Sequence, residues 1–158
     1  MLVIVFTALA FAMIAAHRAE ADMTRRFGSQ INARLALDQL RREIHCASTV
    51  TPVGASASIT ITLGVRCPTA TAGTVVSWCT VGSGTRFALY RKVGPLCDTS
   101  GRKVVDYLTT GTAFNYSVQL PTSLAYLSVT LPVDPSPANG LRPYLLTDDI
   151  VLRNSVRA

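Results

Sequence analysis

His45 and Cys46 form the pair of residues that most suggests bond chemistry, because a thiol nucleophile needs a neighbouring base. Consecutive residues of a helix point about 100° apart, so two neighbours on a helix do not make a ready nucleophile and base. We therefore expect a helix-end histidine and a disulfide-bonded cysteine at these positions. The sequence predicts no catalytic residue and no enzyme.

Other segments could bind a ligand, and each has a plainer interpretation. Asp148 and Asp149 could face a calcium ion, but calcium needs several oxygen ligands and no EF-hand-like spacing accompanies them, so we expect a solvated strand start. Gly82-Ser83-Gly84 lacks the following helix and lysine of a phosphate-binding loop. No metal or cofactor is predicted. Three aromatic residues could form a binding patch, Trp78, Tyr90 and Tyr107. We expect them instead to lie in or near the core of a sheet.

Four cysteines stand far apart, without a C-x-x-C pair and with only two histidines as further soft ligands, so a zinc site is not expected. In an exported domain these cysteines predict two disulfides, and in a cytosolic protein they predict reduced thiols. Counting does not separate the three pairings that four cysteines allow. The predicted order of segments favours Cys46 with Cys67 and Cys79 with Cys97, because each pair then joins neighbouring segments.

The composition favours one domain with a short appendage, in a membrane or assembly context. The chain has 158 residues, of which 49% are hydrophobic and 15% are charged. A typical soluble protein has about 25% charged residues. The formal charge of +6 comes mainly from arginines interleaved with acids, and lysine occurs only at Lys92 and Lys103. We therefore predict no nucleic-acid partner.

Residues 2–16 carry no charge. As a helix this run reaches only about 22 Å, whereas a hydrocarbon core is roughly 30 Å thick. A cleaved Sec signal peptide would explain the length, with Ala19-Glu20-Ala21 as its cleavage site, although no basic segment precedes the run. We instead expect residues 1–24 to form a helix segment in a membrane or filament core. Its predicted assembly residues are Leu2, Val3, Ile4, Val5, Phe6, Leu9, Phe11, Met13 and Ile14.

The helical pattern continues beyond the apolar run, which is unusual for a cleaved signal peptide. Phe27, Ile31 and Leu35 recur at intervals of four, and the apolar residues that follow at intervals of three and four are Leu37, Leu40 and Ile44. We expect this stripe to pack on one strand of the sheet. The predicted partners on that strand are Ile59, Ile61, Leu63 and Val65.

One helix is therefore predicted from near Met1 to about Cys46, with its amphipathic part at 25–47. Gly28 is the expected weak point, because glycine is a poor helix former. Pro52 and the hydroxyl residues before it should end the helix.

After residue 56 the apolar pattern changes to a period of two, which predicts β-strands. Segments 75–81 and 85–92 predict a hairpin with a three-residue turn between them. In that register Cys79 faces Phe87. The other predicted strands are 56–65, 114–120, 127–133 and 150–152, with a loop at 134–143 and the whole sheet spanning 56–153.

A long N-terminal helix followed by an antiparallel sheet resembles the type IV pilins and the pseudopilins of type II secretion and competence systems. Met1-Leu2-Val3-Ile4-Val5 is similar to the middle of a pilin's apolar helix. The segment AHRAEADMTRRFGSQINARLALDQLRREI is similar to the continuation of that helix in minor pilins. The likeness covers roughly the first fifty residues. It implies an α+β fold in which a long α-helix, apolar and then amphipathic, packs on an antiparallel β-sheet head at 25–158.

The resemblance implies a non-catalytic minor pilin or pseudopilin subunit that assembles through its N-terminal helix and needs no cofactor. Its partners would be other pilin or pseudopilin subunits and the membrane, with a prepilin peptidase acting on the full precursor. The chain would be anchored by a single transmembrane helix, with an extracytoplasmic head, at the cell surface or in a filament. The alternative is a Sec-exported, disulfide-bonded, β-rich binding domain with a cleaved signal peptide.

Family members carry a basic leader ending in glycine, a methylated first residue, and Thr-Leu with a glutamate at the fifth mature position. These features precede the apolar run, and the first acid in this sequence is Glu20. We expect the leader and about ten mature residues upstream of Met1. They would extend the apolar run past the roughly 20 residues that span a bilayer.

Overall fold

The computed structural model describes residues 2–65, 67, 71–136 and 143–153. Within these ranges the chain forms one helix, α1 (Leu2–Cys46), followed by nine strands. The expected α+β class is confirmed. The strands are β1 (Ala47–Thr51), β2 (Gly54–Ser56), β3 (Ser58–Leu63), β4 (Val75–Ser83), β5 (Arg86–Val93), β6 (Arg102–Leu108), β7 (Phe114–Ser117), β8 (Tyr126–Val133) and β9 (Tyr144–Val151).

The helix α1 ends at Cys46, as the sequence predicts, and leads directly into β1. The hydroxyl and β-branched residues of β1 are poor helix formers, and Pro52 could not continue a helix. The helix is unbroken at Gly28. One turn apart on its surface, Arg41 Nη1 lies 3.1 Å from Asp38 Oδ1, an exposed ion pair that supports the helix modestly.

The described strands form one antiparallel sheet. Its order is β1-β3-β4-β5-β6-β8-β7-β2. Strands β6 and β7 share one edge of β8, and β9 pairs along the opposite edge. The alternating pattern correctly predicts β3, β4, β5, β7 and β8. It does not predict β1, β2 or β6, and it makes β9 too short.

The predicted hairpin of β4 and β5 is confirmed, but its predicted register is wrong. The turn has two residues, Gly84 and Thr85, rather than three. Gly84 has φ +61°, a backbone conformation that glycine adopts without strain at the first position of a two-residue hairpin turn. Cys79 consequently pairs with Tyr90 and not with Phe87.

The head-facing side of α1 buries small and aliphatic side chains against the sheet. These helix residues are Ala33, Ala36, Leu37, Leu40 and Ile44. They share one core with Ile59, Ile61 and Leu63 of β3, as expected for these three sheet residues. Burial of a large aliphatic side chain stabilises a fold by about 1.5–3 kcal/mol, so this face holds the second half of α1 on the sheet.

The predicted packing stripe on α1 is right in its second half, where Leu37, Leu40 and Ile44 are buried in the core, and wrong in its first half. Phe27, Ile31 and Leu35 are exposed, and Val65, one of their expected partners, is exposed as well. The helix has apolar residues on two faces, and the sheet covers the face with alanines, which let the helix approach closely. Together with Met23, the three uncovered residues form a line at intervals of four that we call the ridge, with exposed fractions between 40% and 73%.

Candidate assembly surface

Residues 2–21 of α1, which we call the stem, project from the head. Every side chain described there is exposed. At 1.5 Å per residue the stem is about 30 Å long. Its large apolar side chains, between 47% and 75% exposed, are Val3, Phe6, Leu9, Phe11, Met13 and Ile14. The side chains of the remaining predicted assembly residues, Leu2, Ile4 and Val5, lie outside the described part of the chain.

Membrane crossing was a separate expectation for this helix. Among residues 2–65, 67, 71–136 and 143–153, no helix meets the combination of length and hydropathy that a membrane span requires.

A polar junction marks the point where the stem meets the head. Ser136 Oγ donates to Asp22 Oδ1 at 2.8 Å, and Arg26 Nε donates to Asp22 Oδ2 at 3.0 Å. Arg26 Nη2 is buried and lies 3.8 Å from Asp134 Oδ1, whose side chain is buried too. Asp134 in turn accepts the backbone N–H of Ser136 at 2.9 Å. Among the described residues, polar contacts between α1 and the head therefore begin at Asp22, directly after the stem.

Further along α1, a buried carboxylate joins the helix to β4 and β5. Glu43 is 3% exposed. Its Oε2 accepts Trp78 Nε1 at 2.8 Å, and Trp78 is fully buried. Its Oε1 accepts Arg91 Nε at 2.8 Å and lies 2.7 Å from Arg91 Nη2. Gln39 Nε2 also donates to Oε1, at 3.3 Å. A buried charge is tolerated when it is paired and hydrogen-bonded in this way.

Strand β9 provides further polar contacts to α1. The guanidinium of Arg34 donates to Tyr144 Oη at 2.8 and 3.1 Å and lies over the tyrosine ring. Arg41 Nη2 lies 2.8 Å from Asp148 Oδ2. These contacts and the junction fix the direction in which the stem leaves the head.

His45 and Cys46, the candidates for bond chemistry in the sequence, both have structural partners. His45 Nδ1 lies 3.2 Å from Val151 O on β9. Cys46, its neighbour, is bonded to Cys67, so the two do not form a nucleophile and base. The favoured pairings are confirmed, with disulfides Cys46–Cys67 and Cys79–Cys97.

The remaining candidates lie in the sheet. Asp148 pairs with Arg41, and Asp149 is exposed next to it. Trp78 belongs to the core, whereas Tyr90 and Tyr107 are half-buried. Within the described residues, no group of three or more His, Cys, Asp or Glu side chains could hold a metal ion.

Ion pairs follow β5 and β6 on the surface of the head. Lys92 Nζ lies 2.9 Å from Asp98 Oδ2, and Lys103 Nζ lies 2.6 Å from Asp106 Oδ2. Hydrogen bonds from Ser100, followed by that from Lys92, lower the pKa of Asp98 to about 2. The hydrogen bond to Asp106 raises the pKa of Lys103. These partners neutralise part of the basic charge of the head.

Two features of this surface were missed in the sequence. Glu43 is one of the acids that the sequence predicts on a solvated helix face, and its burial with Arg91 was not predicted. A buried indole such as Trp78 needs an acceptor for its N–H, and that need was the available signal. Met23 completes the ridge four residues before Phe27, and the same spacing in the sequence could have added it.

Comparisons with protein-family models, with curated proteins and with solved structures find no match for this chain.

Proposed function

We propose that this chain is a non-catalytic minor pilin or pseudopilin subunit that assembles through its N-terminal helix. The observation that carries the proposal is the stem, about 30 Å of helix whose described side chains are all exposed. The head has its own core, its own disulfides and its own hold on the second half of α1. The stem therefore serves a contact outside the head.

The apolar character of the stem supports association as that contact. Complete burial of a Phe, Leu, Ile, Met or Val side chain gains about 1.5–3 kcal/mol. On the stem, six such side chains have exposed fractions between 47% and 75%. The ridge continues this apolar surface along the second half of α1. Exposed apolar surface of this extent marks an interaction site with a membrane or with other subunits.

The resemblance of the first fifty residues supports the choice of partner. Other pilin or pseudopilin subunits would cover the stem in the filament, and a membrane would cover it before assembly. The disulfides support an extracytoplasmic head, because such bonds persist in oxidising compartments. Anchoring by the N-terminal helix and action of a prepilin peptidase on the precursor are parts of the same proposal.

A second candidate is a Sec-exported binding domain whose signal peptide is removed. One observation favours it: head contacts begin at Asp22, directly after the small-x-small segment Ala19-Glu20-Ala21. Sequencing the N-terminus of the protein from its natural source separates the two. A chain that begins at Asp22 supports the exported domain, and a chain that retains residues 2–21 supports the filament subunit.

The filament proposal is tested by placing charges on the stem. In the double variant Phe6→Glu, Phe11→Glu, we expect the full chain to form no filament or other large assembly after detergent removal, as followed by analytical ultracentrifugation. The wild type should form assemblies. The matched control, Val93→Glu with Leu96→Glu, changes two equally exposed apolar residues of the head and should assemble like the wild type.

Fluorescence of Trp78, the single tryptophan, checks that both variants keep a folded head. Equal assembly by the stem variant and the wild type would contradict the proposal. Loss of assembly in the head control alone would place the contact on the head instead of the stem.

A further inference from the structure

Among the described residues, four strands have an edge with little or no backbone pairing. Three of these edges carry features that oppose pairing with another strand. β2 has only three residues. β1 contains a register irregularity between Ala47 and Thr49 and ends just before Pro52. β6 begins with two cations, pairs irregularly with β5 and has a positive φ at Tyr107. Short length, bulges, prolines and charges are the means by which proteins prevent pairing of sheet edges.

β9 differs from these three strands. All eight of its residues pair with β8 in one continuous register. The backbone N–H of Leu152, just after β9, donates to Ala125 O at 2.9 Å in that register. Alternation along an antiparallel pair then directs the N–H and C=O groups of even-numbered residues of β9 toward β8 and those of odd-numbered residues outward.

The outward groups belong to Leu145, Thr147, Asp149 and Val151. Val151 O is in contact with His45 Nδ1 at 3.2 Å. The other three have exposed side chains, and within the described residues no backbone hydrogen bond joins their outward groups to another segment. α1 lies over the opposite, core-facing side of β9, where Tyr144 and Asp148 meet its arginines. The outer edge of β9 therefore presents a regular row of backbone N–H and C=O groups with which another strand could pair.

This edge is complementary to itself in one antiparallel register. With a twofold axis at Thr147, Leu145 faces Asp149 of the second copy and Thr147 faces its own counterpart. Three outward pairs form in this register, with about two backbone hydrogen bonds each. Opposed threonines are a favourable cross-strand pair.

Charge also favours that register. The two Asp149 carboxylates stand four residues apart along the paired strands, about 13 Å, which exceeds the screening length of roughly 8 Å at physiological salt. An axis at Asp148 would halve this separation and would require Val151 O, which His45 already contacts. An axis at Leu146 would set Asp149 against Pro143, which has no N–H to donate.

We propose that β9 pairs antiparallel with β9 of a second copy of this chain, about a twofold axis at Thr147, so that two heads share one continuous sheet. This contact lies on the head, apart from the stem, and it goes beyond assembly through α1. It uses no residue of the stem or the ridge.

Cysteine cross-linking of the full chain in detergent tests both the contact and its register. The native cysteines are all in disulfides, so an introduced cysteine is the one free thiol. Thr147→Cys should give a disulfide-linked dimer on oxidation, because opposed Cα atoms of a hydrogen-bonded pair lie about 5.5 Å apart, within disulfide range.

The controls come from the same strand. Leu145→Cys alone should give no dimer, since its two copies stand about 13 Å apart along the strands. A mixture of Leu145→Cys with Asp149→Cys should give the mixed dimer. No dimer from Thr147→Cys would overturn the proposal, as would cross-linking of Leu145→Cys alone to the same extent, because the register would then be wrong or the contact random.

Thr147→Pro gives an independent measurement. It removes an N–H that points away from β8, so β9 should stay paired inside the head while the dimer is lost. Light scattering in detergent should change from dimer to monomer, while circular dichroism should show that the head stays folded. A dimer that persists in this variant would contradict the proposed edge contact.

Discussion

Replacing Glu43 by leucine should lower the free energy of unfolding of this protein by about 3 kcal/mol. The substitution keeps a side chain of similar size on α1 but removes the acceptor for Trp78 and Arg91. Removing one partner of a buried ion pair costs about 3–5 kcal/mol, because the other charge stays behind unpaired. The side chain of Arg91 is 21% exposed and can recover some contact with water, which favours the lower end of that range.

The double variant Glu43→Leu, Arg91→Leu separates the charge from the indole. It leaves no uncompensated charge, and only the buried N–H of Trp78 remains without its acceptor. We therefore expect a loss of about 1–2 kcal/mol, smaller than that of the single variant. The matched control is Asp38→Leu on the same helix. Its carboxylate is half exposed in a surface pair with Arg41, and it should cost less than about 1 kcal/mol.

Thermal unfolding followed by the fluorescence of Trp78 measures these differences at the site itself. For a chain of this size, a loss of about 3 kcal/mol lowers the melting temperature by roughly 6–12 °C. The reasoning is refuted if Glu43→Leu is no more destabilising than Asp38→Leu. It is also refuted if the double variant is as unstable as the single one, since the unpaired charge would then not be the cause.

Removal of residues 1–21 should leave a soluble head that melts cooperatively, because head contacts begin at Asp22. Circular dichroism and size-exclusion chromatography check this, and aggregation despite correct disulfides would contradict it. Reduction of both disulfides should lower stability by about 3 kcal/mol each, as expected for closed loops of their size, and unchanged melting with and without reductant would oppose this. The pKa of Asp98 is lowered to about 2, so its stabilisation is present above its ordinary value of 3.8 and is lost as the pH falls through 2. Asp98→Asn should thus reduce the melting temperature at neutral pH and match the wild type below pH 2; a difference independent of pH would reject the assigned cause.

Local patterns in the sequence predicted the elements whose residues follow one rule throughout. Strict alternation identified β3 and β8, and the hydroxyl residues before Pro52 indicated the end of α1. Strands with neither alternation nor a recognisable hairpin turn were missed. β6 places Val104 and Val105 side by side after two cations, and its pairing with β5 is irregular, so its sequence has no clear period of two.

The surface of α1 could be predicted only in part for a different reason. Both of its faces are apolar, and spacing alone does not say which one the sheet covers. The predicted stripe combined Phe27 and Leu35 on one side of the helix with Leu37 and Leu40 on the other. Close packing selected the side of Leu37 and Leu40, which also carries Ala33 and Ala36. The acceptor of Trp78 lay beyond local reasoning too, because Glu43 is 35 residues away in the chain.

The contacts between α1 and β9 also set the order in which this protein can be completed during synthesis. Arg34 and Arg41 find Tyr144 and Asp148 at separations of 110 and 107 residues. Contacts of such high sequence separation form slowly, because a long loop must close first. A ribosome adds about 5–20 residues per second, so α1 waits several seconds for its last strand. During that interval the part of the core face that β9 covers stays exposed, as do the ridge and the stem, and the nascent chain depends on whatever shields them until β9 arrives.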